Sequence, residues 1–66
     1  MRYYSILRPI SLGTYPKYQD NKVLEIVNFD ERIYCEDISR DAWGYIEYEK
    51  SIDKKDACNY DLISKL

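Results

Sequence analysis

The chain has 66 residues and a net charge of −2, and it contains eight tyrosines but no histidine. A chain of this length builds one domain around one core, and its apolar fraction of 45% is typical of a folded protein and excludes a disordered one. Without histidine, the chain lacks the side chain most often used for proton transfer and transition-metal binding near neutral pH. Tyrosine combines a large rigid ring with a hydroxyl that needs a polar partner, so the composition favours a contact surface over a catalytic site.

The N-terminal third of the chain is predicted to form one strand followed by a loop. Apolar and charged residues alternate from Arg2 to Ile10, and Pro9 marks the end of this strand because proline cannot donate to the ladder. Residues 11–21 are rich in glycine, proline, asparagine and aspartate, which indicates a loop. Tyr15 and Tyr18 lie in this loop and are hard to assign to a core, so they are secondary candidates for contact with a partner.

Two further strands are predicted in the middle of the chain. Val23–Phe29 is apolar on both faces, which suggests a central strand or one with a face covered by a helix. The stretch Glu31–Ala42 is ambiguous, and it fits either a short fourth strand near Ile33 or an irregular turn. Trp43–Lys50 is the clearest strand, and its glycine at position 44 indicates a bend or a close approach of another backbone.

A short helix is predicted near the C-terminus. Asp53 suits the N-cap, Asp56 follows three residues later, and Ile52 can pack against Ala57 across the first turn. Ala57, Tyr60 and then Asp61 or Ile63 follow at helical spacing, so the helix has about three turns at most and depends on packing against the sheet. The predicted fold is α+β: one domain over residues 1–66, with a mainly antiparallel sheet of three or four strands and one helix packed on it. The best core candidates are Ile6, Leu24, Ile26, Ile46, Ala57 and Leu62.

The two cysteines do not form a metal-binding pattern. Zinc needs three or four soft ligands, and Cys35 and Cys58 have no histidine to complete a set, so neither a metal nor another cofactor is expected. No secretion signal precedes them, which favours two reduced, half-buried thiols. No apolar run approaches the roughly 20 residues that span a bilayer, so we expect a soluble, cytoplasmic protein.

Charge is unevenly distributed along the chain. Residues 1–22 carry four basic side chains against one acidic one, whereas residues 30–49 carry seven acidic side chains against two arginines. The acidic segment overlaps Trp43, Tyr45 and Tyr48, and aromatic faces and carboxylates both accept guanidinium groups. This favours binding to a basic protein surface, although an acidic face can also serve only for solubility. The candidate partner-binding residues are Asp30, Glu31, Glu36, Asp37, Trp43, Tyr45, Glu47 and Glu49.

Other functional classes have weaker support. Cys35 has no histidine to activate it, and Glu47 with Glu49 on one strand face would need a cleft that so short a chain does not easily build. We therefore expect no enzymatic activity. Basic residues lie among the N-terminal tyrosines, which suits a small nucleic-acid-binding module, but the acidic balance of the chain opposes it. A structural homodimer joined through exposed tyrosines is a third alternative.

Four segments carry a resemblance across nearly the whole chain: Arg8–Ile10, Gly13–Pro16, Asn28–Asp30 and Trp43–Tyr48. Together they resemble small, mostly uncharacterised proteins of bacterial phages and conjugative elements. The resemblance implies an inhibitor of host defence, similar to the anti-CRISPR proteins that occupy the basic DNA channel of a Cas nuclease. It assigns no role to any individual residue.

Overall fold

The computed structural model of the chain describes residues 1–64. Four strands and one helix follow one another along it. They are β1 (Arg2–Ser5), β2 (Val23–Cys35), β3 (Arg40–Tyr48), α1 (Lys54–Asn59) and β4 (Leu62–Ser64).

The strands form one sheet in the order β2-β3-β1-β4, and every neighbouring pair is antiparallel. The predicted α+β class, with a four-stranded antiparallel sheet and one short helix, is therefore confirmed. The fourth strand is not the short strand near Ile33 that was one of the two alternatives for Glu31–Ala42. Ile33 belongs to β2, whereas the additional strand is β4, which pairs with β1 at the far side of the sheet.

Strand β1 is shorter than the alternation of residues indicates. It ends at Ser5, where the hydroxyl donates a hydrogen bond of 2.5 Å to the carbonyl oxygen of Arg8 and the chain bends away from the ladder. The segment up to Ile10 is instead held by Asn28. The side-chain oxygen of Asn28 accepts from the Ile10 amide at 2.7 Å, and its side-chain nitrogen donates to the Ile10 carbonyl at 2.8 Å. One amide side chain thus replaces a strand partner for this segment.

Strand β2 is an outer strand, so its prediction as a central strand is wrong. Its far side has no neighbouring strand among residues 1–64. Leu24 is 60% exposed and Ile26 is 39% exposed, which removes both from the predicted core. The apolar character of both faces therefore does not reflect burial on both faces.

Strand β3 begins three residues earlier than predicted and ends at Tyr48. The prediction for its glycine is confirmed, because β2 approaches Gly44 closely. A Cβ atom at this position would lie 2.9 Å from the Cα of Asn28, which is closer than side chains tolerate. Beyond Tyr48, the chain is held by the buried side chain of Asn21, which accepts from the Lys50 amide at 2.9 Å.

The helix begins as predicted and ends sooner. Asp53 is the N-cap, and its carboxylate accepts a hydrogen bond from the Lys55 amide at 2.7 Å. The helix ends at Asn59, because Asp61 adopts a left-handed conformation with φ of 55° that α-helix geometry excludes. The helical spacing predicted as far as Asp61 or Ile63 therefore extends beyond the helix, and Leu62 starts a strand.

Two clusters of buried side chains lie against the sheet. The larger one contains Tyr3, Ile10, Ile46, Tyr48, Ile52 and Leu62, and residues of the helix and of the 11–21 loop pack against it. The smaller one contains Tyr4, Ile38 and Ala42. Of the predicted core residues, Ile46 and Leu62 are buried, while Ile6 and Ala57 are half-buried at the edges of these clusters. Within residues 1–64 no helix is long and apolar enough to cross a membrane.

Candidate functional site

The distal part of the β2–β3 hairpin, residues 29–43, contains three exposed acidic side chains that take part in no ion pair within residues 1–64, namely Asp30, Glu31 and Glu36. Asn28 is opposite Gly44, and the next pair is Ile33 with Ala42. Four residues of β2, Phe29 to Arg32, are therefore opposite Trp43 alone. A bulge of this kind interrupts the ladder and turns its side chains out of the sheet. We call residues 29–43 the distal hairpin.

The distal hairpin carries five carboxylates and two arginines, a net charge of −3. Arg32 is paired with Asp41 at 3.8 Å, and both side chains are about half exposed. Asp30, Glu31 and Glu36 are exposed, and none of them takes part in an ion pair within residues 1–64. These three carboxylates are therefore the part of the predicted acidic site that is available to a partner.

Two large apolar side chains of the distal hairpin are exposed as well. Tyr34 is 61% exposed and Ile33 is 46% exposed, both within the last three residues of β2. Neither was among the predicted contact residues, because the ambiguous pattern of Glu31–Ala42 hid the strand that exposes them. An aromatic residue directly followed by a cysteine and two carboxylates was the signal available in the sequence. The combination of exposed ring, aliphatic side chain and free carboxylates is characteristic of the anchors and polar rim of an interface.

The turn of the hairpin is fixed to the sheet through Asp37. The Tyr4 hydroxyl donates a hydrogen bond of 2.9 Å to the Asp37 carboxylate, and the neighbouring Ile38 is only 2% exposed. Burial and the hydrogen bond to Asp37 raise the pKa of Tyr4. Asp37, one of the predicted contacts, therefore has a structural partner inside the chain.

The aromatic–acidic pair predicted to receive a partner's guanidinium is filled by Arg2. The Arg2 guanidinium lies 3.9 Å from the centre of the Tyr45 ring, and its Nε donates to Glu47 at 3.1 Å. The amine of Met1 donates to the same carboxylate at 2.8 Å. The Met1 amine has the larger effect and Arg2 the smaller one, and together they hold the pKa of Glu47 below its usual range. Tyr45 and Glu47 thus hold a guanidinium of this chain itself, whereas their contact with a partner stays a prediction.

The remaining predicted contacts are divided between the two ends of β3. Trp43 is half-buried opposite the bulge and belongs to the distal hairpin. Glu49 follows the other end of the strand, where its carboxylate accepts from the Lys22 amide at 3.1 Å. The eight predicted residues are therefore spread over both ends of the hairpin. Within residues 1–64 the side chains of Asp30, Glu31, Glu36 and Trp43 take part in no ion pair or hydrogen bond.

The N-terminal aromatic and basic residues are engaged within the fold. Tyr15 and Tyr18 are half-buried against the larger cluster, in contrast to their predicted exposure. The Lys17 ammonium lies 4.8 Å from the Tyr15 ring centre, and the Tyr18 hydroxyl donates to Asp56. Arg8 in turn is paired with an aspartate of the C-terminal segment at 3.2 Å. This arrangement leaves few side chains of the basic segment free to stack on bases or neutralise phosphates.

The cysteines are free, and their environments differ. Cys35 is half-buried as predicted, whereas Cys58 is exposed, in contrast to the prediction. Burial and the nearby Asp37 and Asp41 carboxylates raise the pKa of the Cys35 thiol, so this thiol is protonated at neutral pH and is a poor nucleophile. No group of three or more Cys, Asp or Glu side chains in the described part of the chain is arranged to hold a metal ion. A groove of about 380 Å³ lies between the helix and β4, lined mainly by apolar side chains such as Ile52 and Leu62.

Comparison with known proteins places the chain in a family. A family profile described as "defence against restriction A C-terminal" matches residues 1–65. No curated protein and no solved structure matches the chain. The family description implies a role in defence against restriction, which agrees with the resemblance to small proteins of phages and mobile elements and gives no indication of an anti-CRISPR activity. With nearly its whole length matched, the chain belongs to the family of C-terminal regions of defence against restriction A.

Proposed function

We propose that this chain is a non-catalytic binding module that inhibits a DNA-processing enzyme of a host defence system by contacting a basic surface of that enzyme. Family membership supplies the anti-restriction context. The distal hairpin supplies the contact surface, and the enzyme supplies the arginine and lysine side chains with which it holds DNA.

The observation that carries the proposal is the set of free carboxylates on the distal hairpin. Asp30, Glu31 and Glu36 are exposed without an ion pair in the described residues, whereas Glu47 and Asp41 are matched by cations of the chain. Carboxylates without internal partners make the electrostatic potential around the hairpin more negative, and this speeds the encounter with a positive surface. The exposed ring of Tyr34 in the same hairpin provides an apolar anchor of the type that dominates binding energy.

Two properties of the chain support a non-catalytic role. It has no histidine, and its half-buried thiol at Cys35 is kept protonated by burial and by neighbouring carboxylates. Glu47 and Glu49, considered as a catalytic pair, have separate partners. Glu47 binds the Met1 amine and Arg2, and Glu49 accepts a hydrogen bond from the Lys22 amide. Inhibition by occupation of a surface requires neither a cofactor nor a metal.

A restriction endonuclease is the target that the family description favours, and a Cas nuclease is the second target class that the resemblance to anti-CRISPR proteins suggests. Both act on DNA in the cytoplasm and hold it on basic surfaces. Carboxylates can compete for either surface, so the acidic hairpin alone does not distinguish them. The assay should therefore contain one purified enzyme of each class.

The decisive experiment is a direct binding and cleavage assay with the triple variant D30K/E31K/E36K. Each exposed ion pair contributes about 0.2–1 kcal/mol, and charge reversal replaces attraction by repulsion, so binding should weaken by about tenfold to a hundredfold. Raising the salt concentration should weaken binding of the unmodified chain and have less effect on the variant. DNA should displace the unmodified chain from the enzyme.

The control is D20K, which reverses one exposed carboxylate in the loop before β2 and is matched in net charge to the single variant E36K. D20K changes the net charge without touching the distal hairpin, and it should bind almost as well as the unmodified chain. Equal binding by the triple variant and the unmodified chain, with both folded, would show that the acidic hairpin is only a solvated surface.

A further inference from the structure

The outer edge of β2 is open for main-chain pairing. β2 is the outermost strand, and the regular ladder with β3 covers Glu25 to Asn28 on one side only. Apart from their bonds within the sheet, the main-chain groups of these four residues form no hydrogen bond within residues 1–64. Unpaired amides and carbonyls in an extended strand are a template for one more strand.

The side chains along this edge suit a partner strand that alternates apolar and basic residues. Leu24 and Ile26 are 60% and 39% exposed, and they offer contacts to apolar side chains of an added strand. Glu25 is exposed and is directly opposite Glu47, whose charge is already matched by Arg2 and the N-terminal amine. Further along the strand lie Asp30 and Glu31, both without an ion pair in the described residues.

The same charges oppose pairing with a second copy of the chain. β2 carries three unpaired carboxylates, while its one arginine, Arg32, is paired with Asp41. Two antiparallel copies of β2 would place these carboxylates along a shared edge, where like charges destabilise pairing. Charge complementarity therefore selects a cationic strand as the occupant.

We propose that the edge of β2 at Glu25–Asn28 binds an extended segment of the target protein in which arginine or lysine alternates with apolar residues, as a fifth strand of the sheet. This inference rests on the proposed function, since it specifies how the basic target is held. The main-chain bonds provide affinity independent of side chains, and Glu25, Asp30 and Glu31 select the basic sequence.

The first test is NMR titration of the ¹⁵N-labelled chain with three blocked peptides of equal length. In these peptides arginine alternates with valine, arginine alternates with glycine, or glutamate alternates with valine. The arginine–valine peptide should shift the amides of Glu25–Asn28 and protect the outward-pointing ones from exchange. The arginine–glycine peptide should bind at least about tenfold more weakly, because glycine disfavours strands, and the glutamate–valine peptide should not bind.

Three results would overturn the inference. The first is equal binding of the two arginine peptides, which would indicate charge attraction alone. The second is a set of shifted amides that lies outside β2, and the third is a dimer of the chain alone through β2 in light scattering. In each case, the edge would not be the site of an added cationic strand.

The second test uses the proline variants I26P and V27P. In an antiparallel ladder, neighbouring residues point their amides in opposite directions, so one of these variants loses a bond to β3 and the other loses only an outward amide. The outward variant should retain its melting temperature and lose binding of the arginine–valine peptide. If that variant still binds the peptide, while D30K/E31K/E36K loses the target enzyme, then the edge inference fails and the proposed function stands. If neither change affects capture of the enzyme, both fail.

Discussion

Replacing Tyr48 by phenylalanine should remove a measurable part of the folding free energy. Tyr48 has 0% exposure, and its hydroxyl donates a hydrogen bond of 2.5 Å to the carbonyl oxygen of Pro16, which is itself buried. The ring contacts to Tyr3 and Tyr18, with centroid separations of 6.0 and 6.2 Å, remain in the variant. The change therefore isolates the hydroxyl, whose loss leaves a buried acceptor unsatisfied at a cost of about 1–3 kcal/mol.

The assay is thermal unfolding of Y48F at neutral pH, followed by circular dichroism. For a domain of this size each kcal/mol lowers Tm by about 4–8 °C, so Tm should fall by at least about 4 °C. The matched control is Y34F, which removes the same atom from a ring that is 61% exposed and should leave Tm almost unchanged. Equal Tm values for Y48F and Y34F would refute the reasoning, since they would mean that the Pro16 carbonyl finds another donor at no cost.

Three further predictions concern the sheet and its titrating groups. G44A should lower stability by about 1–3 kcal/mol in urea unfolding, because the new Cβ would lie 2.9 Å from the Cα of Asn28 and force β2 away; unchanged stability would mean that these strands separate freely. The lowered pKa of Glu47 stabilises the fold above the unfolded pKa of about 4.3, and this contribution is lost as the pH falls. E47Q should therefore lose less stability than the unmodified chain between pH 6 and about pH 3. Parallel acid-unfolding curves of the two proteins would contradict this. Burial and a hydrogen bond to a carboxylate raise the pKa of Tyr18 to about 12. The contribution of Tyr18 to folding stability is therefore complete below about pH 10 and is lost as the pH rises towards 12. Y18F should flatten this alkaline loss of stability, which absorbance and circular dichroism can follow together.

The sequence predicted which strands and helices form better than it predicted which strands lie next to each other. Alternation identified the strands and Asp53 identified the start of the helix, because both signals are local. Alternation did not reveal that β2 is an outer strand, since apolar residues such as Leu24 look the same whether a partner covers them or not. The strand at Leu62–Ser64 was missed because three residues are too few to show a period, and the left-handed Asp61 that precedes it leaves no clear sequence signal.

Only part of the candidate site was predicted, and the reason is again that contacts between distant segments leave no local signal. Charge counting identified the acidic segment, but it could not indicate which carboxylates are matched by distant cations. Glu47 is matched by Arg2, 45 residues earlier in the chain, and Asp37 is bonded to Tyr4 across the sheet. Only the pairing of the strands shows that Asp30, Glu31 and Glu36 remain free and that Tyr34 is exposed in the same hairpin.

The position of β1 between β3 and β4 has a consequence for folding during synthesis. The first strand of the chain pairs with residues 44–47 on one side and with residues 62–64 on the other. Pairings between segments so far apart in sequence form slowly, because a long loop must close before the contacts contribute. Strand β1 therefore stays incomplete on the ribosome until residues 62–64 emerge. A chain stopped before Leu62 would expose the backbone of β1 as a new edge, a form prone to aggregation and to recognition by chaperones.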